Sequence, residues 1–251
     1  MIGKTERERF SRLCASLSYT QKGVSAEEGI GIYNEKRIHR VLKRTICEYE
    51  DRFEIKVGKY TADVLTDGCI YEIQCGPLSL LKSKLEYYLN STEYEVVVVH
   101  PVITKRTIIR ADRASGEVIR KRSSPLREKP EKVLPMMYNI AQFVAHPRFS
   151  MLLVCMEVEE YRFSEAVRYR KSGKYDSEVF PISLGEVIEL REVEDYVEFL
   201  PKELIGKSFS AAEYEKYSAL RGMNTYSALN TLANIGLIER KKEGRRVIYT
   251  A

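Results

Sequence analysis

Residues 58–74 read GKYTADVLTDGCIYEIQ, and this stretch decides the fold. Asp67-Gly68 sits between two segments rich in β-formers, which is a strong short-range hairpin signal. The spacing predicts strands over 61–65 and 69–74. Side chains alternate across a strand, so Asp63 and Leu65 share one face, and Ile70, Glu72 and Gln74 share one face. A tight turn then brings Asp63 alongside Glu72 and Gln74. Burying a carboxylate is costly unless it is paired or bound to metal. Two carboxylates side by side also repel each other, and a divalent cation between them answers both costs.

The pattern extends on either side of the hairpin. Asn34 is an N-cap for a helix through about Ile46, with Ile38, Leu42 and Ile46 as its buried stripe. An alternating strand follows at 53–57, with Phe53, Ile55 and Val57 on one face. Beyond the hairpin, Pro77 begins a helix whose apolar side is Leu78, Leu81, Leu85 and Tyr88. Residues 94–100 contain Val96 to Val99 in a row, as a strand buried on both faces would. Residues 34–100 therefore read helix, three strands, helix, strand.

That order, with Asp63 followed by Glu72-Ile73-Gln74 across the second and third strands, resembles the PD-(D/E)XK nuclease superfamily. The Ala62-Asp63-Val64 and Glu72-Ile73-Gln74 wording is most similar to the competence CoiA-like branch and to restriction enzymes that use Glu-x-Gln. The resemblance covers roughly residues 30–100. It implies an α/β, restriction-endonuclease-like mixed-sheet core flanked by helices, which hydrolyses DNA phosphodiester bonds with Mg²⁺ or Mn²⁺. Asp63, Glu72 and the Ile73 carbonyl would ligate the metal. Glu35 would approach from the helix to hold a water or a second metal. The usual third residue of the motif is Lys, and here it is Gln74, which can orient water but carries no charge. Lys82 or Lys84 on the following helix, or Lys56 or Lys59 near the first strand, could restore a cation. His39, one turn after Glu35, reads as a half-buried helix residue, and Cys75 as packing. The alternative reading is a catalytically inactive nuclease fold that serves as a DNA-binding regulator.

A second module is legible near the C-terminus. From about Ile205 the chain reads helix, turn, helix, basic hairpin, and it resembles a winged helix-turn-helix domain. Ser210 caps the first helix, Arg221-Gly222-Met223 forms the turn, Asn224 caps a recognition helix over 225–235, and Gly236 ends it. The resemblance implies DNA contact by Thr225, Tyr226, Ser227 and Asn230 in the major groove. Lys241, Lys242, Arg245 and Arg246 would bind backbone phosphates from the wing.

Between these modules, 105–122 reads as a basic hairpin turning at Ser115-Gly116, with Arg106, Arg110, Arg113, Arg120, Lys121 and Arg122 as a candidate backbone clamp. Residues 131–144 read as a helix and 151–158 as a buried strand. Residues 170–180 look loop-like, and the acidic 186–199 piece has no clear period. The domain reading is a nuclease-like domain over 1–170, a connecting segment over 171–204 and a winged helix over 205–251.

Charge supports polyanion-facing surfaces. The net charge of +5 is mild, but 100–132 carries ten Lys/Arg against four Asp/Glu and 207–251 carries eight against four. The five cysteines at 14, 47, 69, 75 and 155 include no C-x-x-C pair, so neither a disulfide framework nor a zinc site is read. The opening MIGKTERERF is charged where a signal peptide needs an apolar core, and no apolar run could span a bilayer. A cytoplasmic location without membrane contact is expected. DNA is the expected partner, RNA fits the same metal chemistry, and cutting both strands would call for a homodimer.

Overall fold

The hairpin forms where its turn signal lies. The structure, a computed structural model, describes residues 2–17, 33–112, 115–163, 177–244 and 246–251, with the backbone alone for 33–36. Strands β2 (Tyr60–Leu65) and β3 (Cys69–Ile73) pair antiparallel, with Val64 opposite Tyr71 and Leu65 opposite Ile70. Gly68 takes a positive φ of 121°, and the Thr66 N–H closes the turn on the Cys69 carbonyl at 2.9 Å. Strand β1 (Phe53–Val57) precedes them at its expected bounds.

The turn from β1 to β2 is made at Gly58, whose φ is +59°, in the left-handed region that favours glycine. A Cβ there would lie 1.8 Å from the Tyr87 hydroxyl oxygen. Gly58→Ala is therefore expected to destabilise by at least about 2 kcal/mol, combining a left-handed alanine with a collision. The urea midpoint measures the loss. Adding Tyr87→Phe, which removes the colliding oxygen, should recover part of it. A full recovery would show that backbone conformation contributes nothing.

Strand β3 runs parallel to β4 (Glu95–Ala111), with Cys69 opposite Glu95 and Ile73 opposite Val99. Parallel neighbours need a crossover. A 3-10 turn at Leu78–Leu81 and helix α3 (Lys82–Ser91) supply it. Val96, Val98 and Val99 are fully buried, as the unbroken valine run predicts. The Arg148 guanidinium donates to the carbonyls of Leu89, Thr92 and Tyr94, so a cation satisfies the C-terminal end of α3.

The whole is α/β. A mixed seven-stranded sheet runs in the order β1-β2-β3-β4-β6-β7, with β5 (Val118–Ser123) antiparallel to the far half of β4. Strand β6 spans Phe149–Phe163 and β7 spans Ser177–Leu190. Two compact units are built from interleaved segments. One takes residues 1–53, 101–128 and 154–187, and the other takes 54–100, 129–153 and 188–251. In the first, α1 (Lys4–Ser16) lies against α2 (Tyr33–Ile46), where Arg9 Nη1 donates to the Thr45 carbonyl at 2.7 Å. An apolar cluster of Ile109, Ala111, Tyr161, Phe163 and Phe180 lies in the same unit.

Two local expectations between residues 131 and 180 are corrected. The helix expected over 131–144 is broken into a 3-10 turn at Pro130–Lys132, a short α4 (Val133–Met137) and a 3-10 turn at Ala141–Phe143. Pro135 has no N–H and is tolerated only in a helix's first turn, so α4 cannot begin much earlier. Residues 177–180, expected to be loop-like, begin β7, because Val179 and Phe180 are buried in a tertiary core. Residues 164–176 lie outside the described residues. The acidic piece continues β7 to Leu190 and then turns through Val193–Phe199, burying Tyr196 and Phe199.

The C-terminal module has a three-stranded antiparallel sheet, order β8-β10-β9, and two helices. These are β8 (Ser208–Phe209), α5 (Ala211–Tyr217), α6 (Met223–Asn234), β9 (Glu239–Glu243) and β10 (Arg246–Thr250). Ser210 and Glu213 form a capping box at the start of α5. Helix α6 begins at Met223, with Gly222 rather than Asn224 in the cap position, because Glu215 Oε1 accepts both the Gly222 N–H at 2.7 Å and the Thr225 hydroxyl at 2.8 Å. Gly236 ends the helix region with φ 85°, as expected. Helix α6 packs along α4, where the Thr231 hydroxyl donates to the Leu134 carbonyl at 2.9 Å. Among the described residues, no helix is long and apolar enough to cross a membrane.

Candidate active site

The hairpin's pairing sets the site. The paired register ends at Val64 opposite Tyr71; Asp63 and Glu72 come next, one on each strand, and the charge of Asp63 acts on Glu72. There Asp63 Oδ2 accepts the Ile73 N–H at 2.7 Å. The side chain thus receives an N–H from β3 itself, and this fixes the carboxylate beside Glu72.

Glu72 lies on the inward face of β3 and is only 1% exposed. Helix α3 returns over it. Lys84 Nζ lies 2.6 Å from Glu72 Oε2, and Tyr88, one turn later, brings its hydroxyl near the same carboxylate. Glu72 Oε1 is buried without a hydrogen-bond partner of good geometry, and so is the Tyr88 hydroxyl. A buried carboxylate oxygen left this way is costly.

The electrostatics follow from this packing. Burial foremost, and then the charge of Asp63, push the Glu72 carboxyl up to about 7, while Lys84 and Tyr88 pull it back. Burial and the adjacent Glu72 also push the Tyr88 hydroxyl upward. A carboxyl so shifted, against a like charge and below a lysine, is a candidate functional group.

The other expected residues fall as follows. Of the four candidate lysines, Lys84 reaches the carboxylate. Lys82 and Lys56 are exposed, and Lys59 stands over the rings of Tyr60 and Tyr87. Gln74 turns its amide to the Pro77 carbonyl at 3.2 Å. Its backbone carbonyl accepts from His100 Nδ1 at 2.7 Å. Pro101, which follows on β4, has no N–H to offer, and the imidazole takes that role. Ile73 is buried beside Asp63. Glu35 lies in α2, but its side chain is outside the described residues. His39 is half-buried on α2 and Cys75 is half-buried after β3. Tyr88 and His100 were not legible as site residues. Tyr88 follows Lys84 by four positions on one helix face, and that is the signal that could have found it.

Among the described residues no three His, Cys, Asp or Glu side chains cluster as a metal site. The donor set present is two adjacent carboxylates, one with an unpartnered buried oxygen. That fits a hard cation such as Mg²⁺, which is held by one or two carboxylates and keeps most of its waters.

In the C-terminal module, Tyr226 is exposed on α6 and Ser227 and Asn230 are half-buried. Thr225 is fully buried and its hydroxyl is bonded to Glu215, so it locks the turn and offers no surface to DNA. Lys241, Lys242 and Arg246 are exposed on the β9–β10 hairpin, and Arg245 lies outside the described residues.

A family model described as a domain of unknown function (DUF8091) matches residues 36–193, a span that includes Asp63, Glu72, Gln74 and Lys84 and stops before the C-terminal module. No curated protein and no solved structure matches the chain.

Proposed function

From a chain that belongs to the DUF8091 family, we propose a metal-dependent nuclease of the PD-(D/E)XK type, directed to DNA by a C-terminal winged helix. The observation that carries this reading is the Asp63–Glu72 pair, with Glu72 buried and Lys84 on it. Two carboxylates crossed by a lysine on adjacent elements are costly in a core and useful around a phosphodiester.

Asp63 and Glu72 would hold Mg²⁺ or Mn²⁺, with the Ile73 carbonyl as a further oxygen donor. When bound, the cation supplies a Lewis acid and a water of lowered pKa. Lys84 replaces the lysine that the motif lacks at Gln74. Its ammonium stands where charge on a bound phosphate could be met, and it keeps Glu72 ionisable near neutral pH. The Ile73 N–H orients the Asp63 carboxylate, and Lys84 orients that of Glu72. Incubation of plasmid with Mg²⁺, Mn²⁺ or EDTA tests this. Cutting with either metal and none in EDTA is the expected result, and cutting that survives full chelation overturns it.

One observation favours the rival reading of an inactive, DNA-binding regulator. The Gln74 amide is turned to Pro77 and leaves Lys84 as the cation over the carboxylates. That reading expects tight DNA binding with no cutting under either metal.

The β9–β10 hairpin is the proposed wing. Replacing Lys241, Lys242 and Arg246 by Ala is expected to weaken DNA binding and flatten its salt dependence, by about one unit of log–log slope for each phosphate that is no longer neutralised. Titrations at several salt concentrations read this. An unchanged slope would assign the module to protein contact.

A further inference from the structure

The second basic stretch forms a built cleft. Strand β5 pairs with β4 so that Arg122 faces Ile108 and Arg120 faces Arg110. Alternation puts Arg106, Ile108 and Arg110 on one face of β4, with Arg120 and Arg122 beside them. Arg162 of β6 joins them, and Ile108, Arg110, Arg120, Arg122 and Arg162 line a cleft of about 200 Å³.

The two faces of this sheet segment balance charge differently. On the face shared with Ile109, each lysine has its own carboxylate. Lys105 pairs with Glu157 at 2.9 Å and Lys121 with Glu159 at 2.8 Å. On the cleft face the one ion-paired carboxylate among the described residues is Glu160, which is buried and accepts from both Arg106 at 2.8 Å and Arg162 at 2.6 Å. Those two arginines hold its carboxyl below the usual range although burial raises it. Arg110, Arg120 and Arg122 have no carboxylate partner among the described residues. Like charges directly opposite one another destabilise a sheet, and Arg110 and Arg120 are so placed.

An anion resolves this arrangement, as the planar guanidinium fork matches phosphate oxygens in pairs. Several arginines exceed what one phosphate needs. Arg120 and Arg122, two residues apart on a strand, stand about 7 Å from each other at their backbone positions. That is close to the spacing of successive phosphates along an extended nucleic-acid strand. Strand β5 is exposed along its full length. Phosphate contacts of this kind position a strand without reading its sequence.

We infer that the cleft between Arg110, Arg120, Arg122 and Arg162 binds the phosphate backbone of a single nucleic-acid strand. This assignment holds whether or not Asp63 and Glu72 support hydrolysis, and it is separate from the β9–β10 hairpin. The test is binding of a fluorescein-labelled single-stranded oligonucleotide to the full chain in EDTA, across a salt series. The triple variant Arg110→Ala/Arg120→Ala/Arg122→Ala is expected to bind at least about tenfold more weakly, with the log–log salt slope flattened by about two. Lys105→Ala, on the other face and paired with Glu157, is expected to leave both unchanged. If the triple variant loses its native circular dichroism, Arg120→Gln and Arg122→Gln on the exposed strand are used, each with a flattening of under about one. Unchanged affinity and slope in the folded variants would overturn the assignment. So would competition by AMP or inorganic phosphate as effective per phosphate as the oligonucleotide, since the cleft would then take a single phosphate.

Discussion

Asp63→Ala is expected to lower Mg²⁺-dependent DNA cleavage by on the order of 10²–10³-fold or more, with the fold and DNA binding retained. Asp63 is half-buried within β2, and its carboxylate holds the Ile73 N–H beside Glu72. Its removal takes away one of two hard-oxygen donors and leaves the Ile73 N–H without its side-chain acceptor. Glu72→Ala should lose as much activity but cost more stability, because it leaves Lys84 without its partner beside a void. Lys84→Met should reduce turnover while leaving Mn²⁺ affinity measurable, which separates a charge role from metal holding. The assay is a plasmid time course with matched Mn²⁺ titrations by calorimetry. Wild-type activity in Asp63→Ala would remove the nuclease reading. Undetectable Mn²⁺ binding in the wild type would favour the regulator.

Metal-free protein is expected to lose up to about 3 kcal/mol of stability as pH rises from about 4.5 to about 7, through Glu72 alone. Folded Glu72 holds its proton up to about 7, whereas the unfolded chain gives it up near the ordinary 4.5. Between those values the folded state carries more protons, so stability falls as pH rises. The contribution is complete below the lower value and absent above the upper one. Urea midpoints in EDTA across this range measure it. Glu72→Gln should remove this part of the pH dependence and be the more stable protein at about pH 8. Lys84→Met should deepen the loss above about pH 7, since the ionised carboxylate then lacks its counter-charge. A wild-type profile that matches Glu72→Gln would show that Glu72 ionises normally, with solvent reaching it.

Parts of this protein were legible residue by residue. The Asp67-Gly68 turn and the alternation through Asp63 and Glu72 are local signals that form their strands close to the expected bounds, while the valine run of β4 opens a strand that continues to Ala111, well past the expected end at residue 100. Lys84 was one of four lysines that spacing alone could not rank, and only the return of α3 over β3 selects it. Tyr88 read as one more apolar helix residue. Its hydroxyl acquires a role because Glu72 is beneath it. Thr225 looked like a groove contact because it opens a helix, but Glu215, ten residues earlier, claims its hydroxyl.

The sequence by itself determined which strands exist, which way their side chains alternate, and that two carboxylates meet across a hairpin, because backbone geometry imposes those relations over a few residues. Only the tertiary structure decided that β7 begins in a polar stretch, that Arg148 closes α3, and that Arg162 of β6 completes a row of arginines begun on β4. The physical reason is range. Burial, charge balance and hydrogen-bond completion are set by whatever the chain brings back from a distance, and no local pattern records that partner.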